Sequence, residues 1–149
     1  MAFDDDGDLW VSNAVSGLIQ EYDSDGILLG STAALDEPSD ITWHDGALYV
    51  AEHGTSRIIE VNPTDYGTSE WIEVALGDNP ADLYDLAFAP GGALVVTGGG
   101  TSFRVDTDHD LHAFAGTAGA NTMQGVFFRG DDCFISVGPR QIIQISGPF

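Results

Sequence analysis

Hydrophobic and polar positions alternate along this chain in short runs of period two, and each run is cut by Gly, Asp, Asn or Pro. The clearest set is ITWHDGALYVAEHGTSRIIEVN, residues 41–62, which reads as three short strands separated by two turns. An aromatic, a tight Asp/Gly turn and a small apolar strand recur four times: Phe3 before DDDGDLWVS, Trp43 before HDGALYVAE, Phe88 before APGGALVVT and Phe128 before RGDDCFISV. The four aromatics are spaced by 40, 45 and 40 residues. A further strand follows each copy (GLIQEYD, RIIEVN, SFRVD and QIIQIS), and after three of them comes a fourth: ILLGS, EWIEVAL and LHAFAG. A helical period of 3.6 is absent, so the pattern predicts an all-β chain.

Four antiparallel strands recurring near every 40 residues predict a β-propeller, whose blades are small twisted sheets that bury their faces by stacking on one another. A β-sandwich is the competing all-β arrangement, but it does not need one motif at a long fixed period. The pattern divides a single domain, 1–149, into units near 1–35, 36–78, 79–118 and 119–149. The turns DDDG, HDG, PGG and GDD fall between strands one and two of each unit, where residues tolerant of φ > 0 close short hairpins. The first unit retains only Met1–Phe3 of its inner strand, and the last stops just past its third strand QIIQIS, leaving an apolar edge. The expectation is therefore about four blades, incomplete at both ends. A fragment of a longer propeller, a ring of four closing alone and half of a dimeric ring of eight all fit that count. A homo-oligomer or missing blades is the favoured completion.

Charge narrows the partners. Against 24 acidic residues stand four arginines (Arg57, Arg104, Arg129 and Arg140) and no lysine, a formal charge of −20. Nucleic acid and anionic membranes both require a cationic surface, so neither is an expected partner. No apolar run approaches the roughly 20 residues of a membrane span, and MAFDDDGDLW shows neither the basic start nor the apolar core of a secretory leader. An extracellular or periplasmic setting is nonetheless expected. Many of the aspartates fall in turns, where the side chain bonds nearby backbone, yet turns do not account for the missing lysine. An acidic, lysine-free surface points to a halophilic or marine microbe. Self-repulsion at this charge is screened as the Debye length falls from about 30 Å at 0.01 M to about 3 Å at 1 M. The melting temperature is expected to rise from low to molar salt, and a flat profile would remove this reading. The one cysteine, Cys133, lies in the strand DCFISV and is expected to be a packed hydrophobe.

The segment PSDITWHDGALYVAEHGTSRIIEVNP, residues 38–63, carries a Pro before the inner strand, the aromatic, a D-G turn, a YVA strand and an RI strand ending in a polar turn. In these features it resembles NHL-repeat and related six-bladed propellers, including the regucalcin/gluconolactonase and virginiamycin B lyase groups. The resemblance implies the propeller fold. Its members include lactonases, lyases, peptide-binding modules and sensors. Gluconolactonase-like enzymes hold a divalent cation on the axis with acidic and amide side chains from different blades.

By propeller geometry the inter-blade connections and the loops between strands two and three emerge on one face. That face would gather Asn13, Glu52, His53, Asp82, Asn121 and Arg140, with Asp36, Glu37, Asp78, Asn79, Asp85 and Gln124 near them. Such oxygen donors suit a small polar ligand or a hard cation such as Ca²⁺. Glu52-His53 is the most suggestive pair, a histidine beside a carboxylate being suited to proton transfer or metal binding, although AEHG also reads as an ordinary turn. Asp106-Thr-Asp108-His-Asp110 resembles the opening of a calcium loop but lacks the sixth-position Gly and the distant Glu, which favours a solvated turn. No G-x-S-x-G, phosphate-binding glycine loop, HExxH or CxxC is present. The expected function is a non-catalytic binding module for a protein partner or a small polar ligand. The alternative is a metal-dependent lactonase- or lyase-type enzyme, and no cofactor other than Ca²⁺ is indicated.

Overall fold

The computed structural model describes residues 1–76, 79–80, 82–116, 123–138, 141–147 and 149. Among them every element is a strand, and no helix is long and apolar enough to cross a membrane. The chain divides into two compact units, Met1–Pro80 and Ala81–Phe149.

In the first unit β1 (Ala2–Phe3), β2 (Leu9–Asn13), β3 (Leu18–Tyr22) and β4 (Leu28–Ser31) form one antiparallel sheet in chain order. A second sheet of the same order contains β5 (Pro38–His44), β6 (Ala47–Glu52), β7 (Arg57–Val61) and β8 (Thr68–Glu73). A two-residue pair, β9 (Ala75–Leu76) with β10 (Asn79–Pro80), closes the unit. In the second unit β11 (Leu83–Phe88), β12 (Leu94–Gly98), β13 (Thr101–Val105) and β14 (Leu111–Gly116) form another four-stranded meander. The last sheet has three strands: β15 (Met123–Arg129), β16 (Asp132–Val137) and β17 (Gln141–Ser146). The all-β, four-strand pattern read from the sequence is thus present in three sheets, and in the fourth without its outer strand.

Turn chemistry explains why these strands are so short and so regularly ended. The Asp4 carboxylate accepts the backbone N–H groups of Asp6 and Asp8 at 3.0 and 2.9 Å, and Asp23 repeats the device with Asp25 and Ile27 at 2.9 and 2.8 Å. Between β5 and β6, Asp45 and Gly46 both take positive φ (49° and 81°) and join the paired residues His44 and Ala47. This is the two-residue hairpin whose twist matches that of the strands it connects.

Alternation along the strands then builds a core cluster within each unit. In the first, Trp10 and Ile19 project from one sheet onto Ile41, Leu48, Val50, Ile59 and Val61 of the next. The turn after β7 adds Tyr66, whose ring lies 5.9 Å from that of Trp10 and whose hydroxyl donates a 2.6 Å hydrogen bond to Glu21. In the second unit Val95 packs with Met123, Val126, Cys133, Ile135 and Val137, while Asp85 accepts the N–H of Val126 at 2.7 Å and so ties one sheet to the other. Cys133 is fully buried, and burial pushes its thiol up to about 11, which suits the packed hydrophobe expected of it. Of the four repeating aromatics, Trp43 and Phe128 pack on these cores, whereas Phe3 is 65% exposed.

Candidate functional site

Three loops meet at one end of the strands of the first unit. The Leu35 N–H donates to the Gly17 carbonyl at 2.8 Å, and the His53 N–H donates to the Glu37 carbonyl at 3.1 Å. The connection between the two sheets is thereby sewn to the β2–β3 and β6–β7 loops. Asn13 serves the first of these, its side-chain oxygen accepting the N–H groups of Val15 and Ser16 at 3.1 Å each, so it caps a turn.

Glu52, at the end of β6, is 1% exposed. Its carboxylate accepts hydrogen bonds from the Asp36 N–H (2.8 Å), Thr55 Oγ1 (2.7 Å), Arg57 Nε (3.0 Å) and Arg57 Nη2 (2.7 Å). Register explains the pairing, because Glu52 and Arg57 stand opposite each other across β6 and β7. Arg57 also lies 3.7 Å from Glu70 on β8. A groove of about 410 Å³ runs beside this knot, lined by Leu35, Asp36, Arg57, Ser69 and Glu70 among others. A carboxylate that accepts four hydrogen bonds in a buried site is a structural anion, closed off from solvent.

His53 points elsewhere. Its Nδ1 lies 3.8 Å from Glu37, and the two side chains are 35% and 65% exposed. With Ala14, Val15 and Ser39 they line a depression of about 490 Å³. Val15 at its rim is almost fully exposed. Glu37 takes φ = +49°, in the left-handed region that a non-glycine residue seldom adopts. The sequence pair Glu52-His53 is therefore split by the fold: the carboxylate turns inward to Arg57 and the imidazole faces the solvent side with Glu37.

In the second unit Asp82 is exposed, and its carbonyl accepts the N–H of Gly99 at 3.1 Å. Asp85 is engaged in the sheet-to-sheet bond described above, and Gln124 is exposed on β15. Asn121, Arg140 and Asp78 lie outside the described residues. Asp106, Asp108 and Asp110 form the turn between β13 and β14: the Asp106 N–H donates to the Asp110 carbonyl at 3.0 Å, and His109 takes φ = +65°. The Asp106 carboxylate pairs with Arg104 at 2.9 Å and with His112 at 3.3 Å, while Asp108 and Asp110 are exposed. Their ligand atoms do not converge on a common point among the described residues.

A different acidic group does converge. Ligand oxygens of Asp4, Asp8 and Glu21 lie within 4.8 Å of one another, where the β1–β2 turn meets β3. Asp4 is already occupied by two backbone N–H groups and by the Trp10 indole N–H at 2.9 Å, and Glu21 by Tyr66. Loss of hydration, with the charges of Asp4, Asp6 and Asp23 nearby, raises the affinity of Asp8 for its proton. The sequence showed the Asp4–Asp8 turn, but Glu21 joins it only through sheet pairing. The Tyr66 phenol is pushed up to about 12, first by the hydrogen bond it donates to Glu21, which ionisation would remove. A folded-state value above the unfolded one means that this contribution to stability is complete below pH 10 and is lost as the pH rises towards 12. The first unit is expected to weaken across that window, and Tyr66→Phe to abolish the alkaline loss; urea titrations at several pH values check it.

No protein-family model and no curated protein matches the chain. Solved structures do. A catalytically inactive virginiamycin B lyase from Staphylococcus aureus, crystallised with quinupristin, superposes with a TM-score of 0.78 at 16% identity over 91% of this chain and 47% of its own. The computationally designed Ika4 protein gives 0.73 at 16% identity, covering 97% of this chain and 88% of its own. A gluconolactonase-like protein gives 0.70 at 17% identity, over 91% and 53%. The fold is a β-propeller fold, as the repeat predicts. The chain spans about half the length of the lyase, and at these identities the likeness is one of fold.

Proposed function

We propose that this chain is a non-catalytic propeller module that binds a small polar ligand at the loop end of its first unit, in the depression between Glu37, Ser39 and His53. The observation that carries the reading is the fate of Glu52. The best-placed general base in the sequence is buried beneath four hydrogen bonds, while the solvent-facing depression offers one carboxylate, one imidazole, the oxygen of a hydroxyl whose proton goes to the Ala51 carbonyl, and the apolar rim of Ala14 and Val15. Such a lining suits recognition of a hydrogen-bond donor or cationic group carried next to an apolar moiety. In a chain of net charge −20 the field also favours a ligand that is not an anion.

The alternative, a metal-dependent lactonase or lyase, draws support from the fold likeness to such enzymes. Weighing against it, the acidic cluster Asp4/Asp8/Glu21 lies where the β1–β2 turn meets β3, at the strand ends away from the loops that carry His53, and the Asp4 and Glu21 carboxylates already serve the turn, Trp10 and Tyr66. A thermal-shift screen of amines, amino sugars and neutral sugars tests the proposal. Hits are expected to vanish in Glu37→Gln and His53→Ala. Calcium-dependent turnover of quinupristin or of an aldonolactone by this chain would overturn it.

A further inference from the structure

Within the first unit, the groove beside Glu52 and Arg57 has one wall on β8 and the other on the connection that joins the two sheets. Ile59 pairs with Glu70 and Val61 with Thr68, and paired residues share a face, so Thr68 and Glu70 stand on the side of the sheet that carries Arg57, Ile59 and Val61. Ala34, Leu35 and Asp36 form the facing wall. That wall is fixed in place, because the Leu35 N–H donates to the Gly17 carbonyl and the Asp36 N–H to Glu52, each at 2.8 Å. The volume of about 410 Å³ falls within the roughly 300–1,000 Å³ of ordinary ligand clefts.

The polar groups of the groove are unequally engaged. Glu52 is saturated, and Arg57 commits Nε to Glu52 and Thr55 (3.0 and 3.2 Å) and one N–H of Nη2 to Glu52 (2.7 Å). The outer edge of the guanidinium remains. Among the described residues Nη1 donates no hydrogen bond, and the Glu70 carboxylate beside it stands 3.7 Å away, beyond hydrogen-bonding reach. Nor, among the described residues, do the side-chain oxygens of Asp36, Thr68 and Glu70 hydrogen-bond to protein. Uncommitted N–H donors thus lie next to uncommitted carboxylate acceptors, with Leu35 and Ile59 as apolar surface between the walls.

We propose that this groove is a second ligand site and that it takes a neutral polyhydroxylated ring, a sugar unit. A hydroxyl serves both sides at once, since its oxygen accepts from Nη1 while its proton goes to Glu70. Neighbouring hydroxyls of the ring extend the same exchange to Asp36 and Thr68, and its C–H groups cover Leu35 and Ile59. Charge selects the neutral class. An anion would meet three carboxylates (Asp36, Glu52 and Glu70) for one guanidinium, and a cation would lie against the guanidinium edge. The groove shares no lining residue with the depression of Glu37, Ser39 and His53, so the two sites stand or fall separately.

A ¹H–¹⁵N NMR titration with the methyl glycosides of glucose, galactose and mannose tests the proposal. At least one of the three is expected to shift the Arg57 Nε–H resonance and the amides of Thr68, Ser69 and Glu70 to saturation. Glu70→Ala removes the acceptor and Thr68→Val the hydroxyl; both positions are exposed, so circular dichroism should show the variants folded. Glu70→Ala is expected to weaken binding by about tenfold, as loss of a hydrogen bond to a charged group does, and Thr68→Val by less. Glu37→Gln and His53→Ala should leave the groove resonances responding as before. Glucosamine and glucuronate, the cationic and anionic counterparts, are expected to bind the groove more weakly than the neutral probe. No saturable shift at the groove with any of the three glycosides overturns the proposal. So does binding that Glu70→Ala leaves unchanged, or tighter binding of either charged sugar. Shifts confined to Val15 and His53 would support the depression and overturn the groove.

Discussion

Arg57→Met is expected to destabilise the first unit by about 3 kcal/mol, the lower end of the range for breaking a buried ion pair by removing one partner. The reason is asymmetric burial. Glu52 is 1% exposed while the Arg57 side chain is 38% exposed, so losing the arginine strands an anion that the remaining donors, Asp36 N–H and Thr55 Oγ1, only partly satisfy. The adjoining groove of about 410 Å³ admits water, which is why the loss falls short of the upper end of about 5 kcal/mol. Removing the charge as well should restore stability, so the double variant Glu52→Gln, Arg57→Met is expected to be more stable than Arg57→Met alone. Denaturant unfolding followed by tryptophan fluorescence measures both, because Trp10, Trp43 and Trp71 all belong to the first unit. A double variant no more stable than the single one would mean that the Glu52 charge is not the cause. Ligand binding lost in Glu52→Gln at unchanged stability would return Glu52 to the functional residues.

Trp10→Ala is expected to cost about 3–5 kcal/mol, the range for emptying a large aromatic site in a core. The indole is fully buried where the two sheets of the first unit meet, against Ile41, Leu48 and Val50 and the ring of Tyr66. It also donates to Asp4, so its loss removes a support of the β1–β2 turn as well as a packing element. Trp10→Phe separates the two effects: it keeps most of the apolar volume and loses only the hydrogen bond, for which about 1 kcal/mol is expected. Equal losses in the two variants would show that the hydrogen bond, and not the packing, carries the site.

The strands were legible because their pattern is local. Leu9-Trp10-Val11, Leu48-Tyr49-Val50 and Cys133-Phe134-Ile135 alternate in period two between turn residues whose backbone preferences are set within a few positions, as at Asp45-Gly46. The candidate site was legible only in part. Glu52 and His53 are adjacent in sequence, and adjacency in a strand and its loop sends side chains in different directions. Which way each turned was decided by partners from elsewhere: Arg57 across β7 for Glu52, and Glu37 from the inter-sheet connection for His53. Thr55 gave no motif signal of its own. Arg57 is the one Lys or Arg in the first 80 residues and Glu52 drew notice beside His53, yet their pairing across β6 and β7 had no local signal.

The sequence by itself determined an all-β chain of repeated antiparallel sheets, the positions of its hairpins and the strong negative charge, since each follows from residues close together or from a simple sum. Only the tertiary structure decided the roles of the carboxylates. Asp4 and Glu21 became supports for Trp10 and Tyr66, Asp85 a tie between sheets, Asp106 the partner of Arg104, and Glu52 a buried anion. An aspartate or glutamate carries the same charge wherever it stands. What it does depends on which donors and how much water surround it, and those are set by strands that pair across tens of residues.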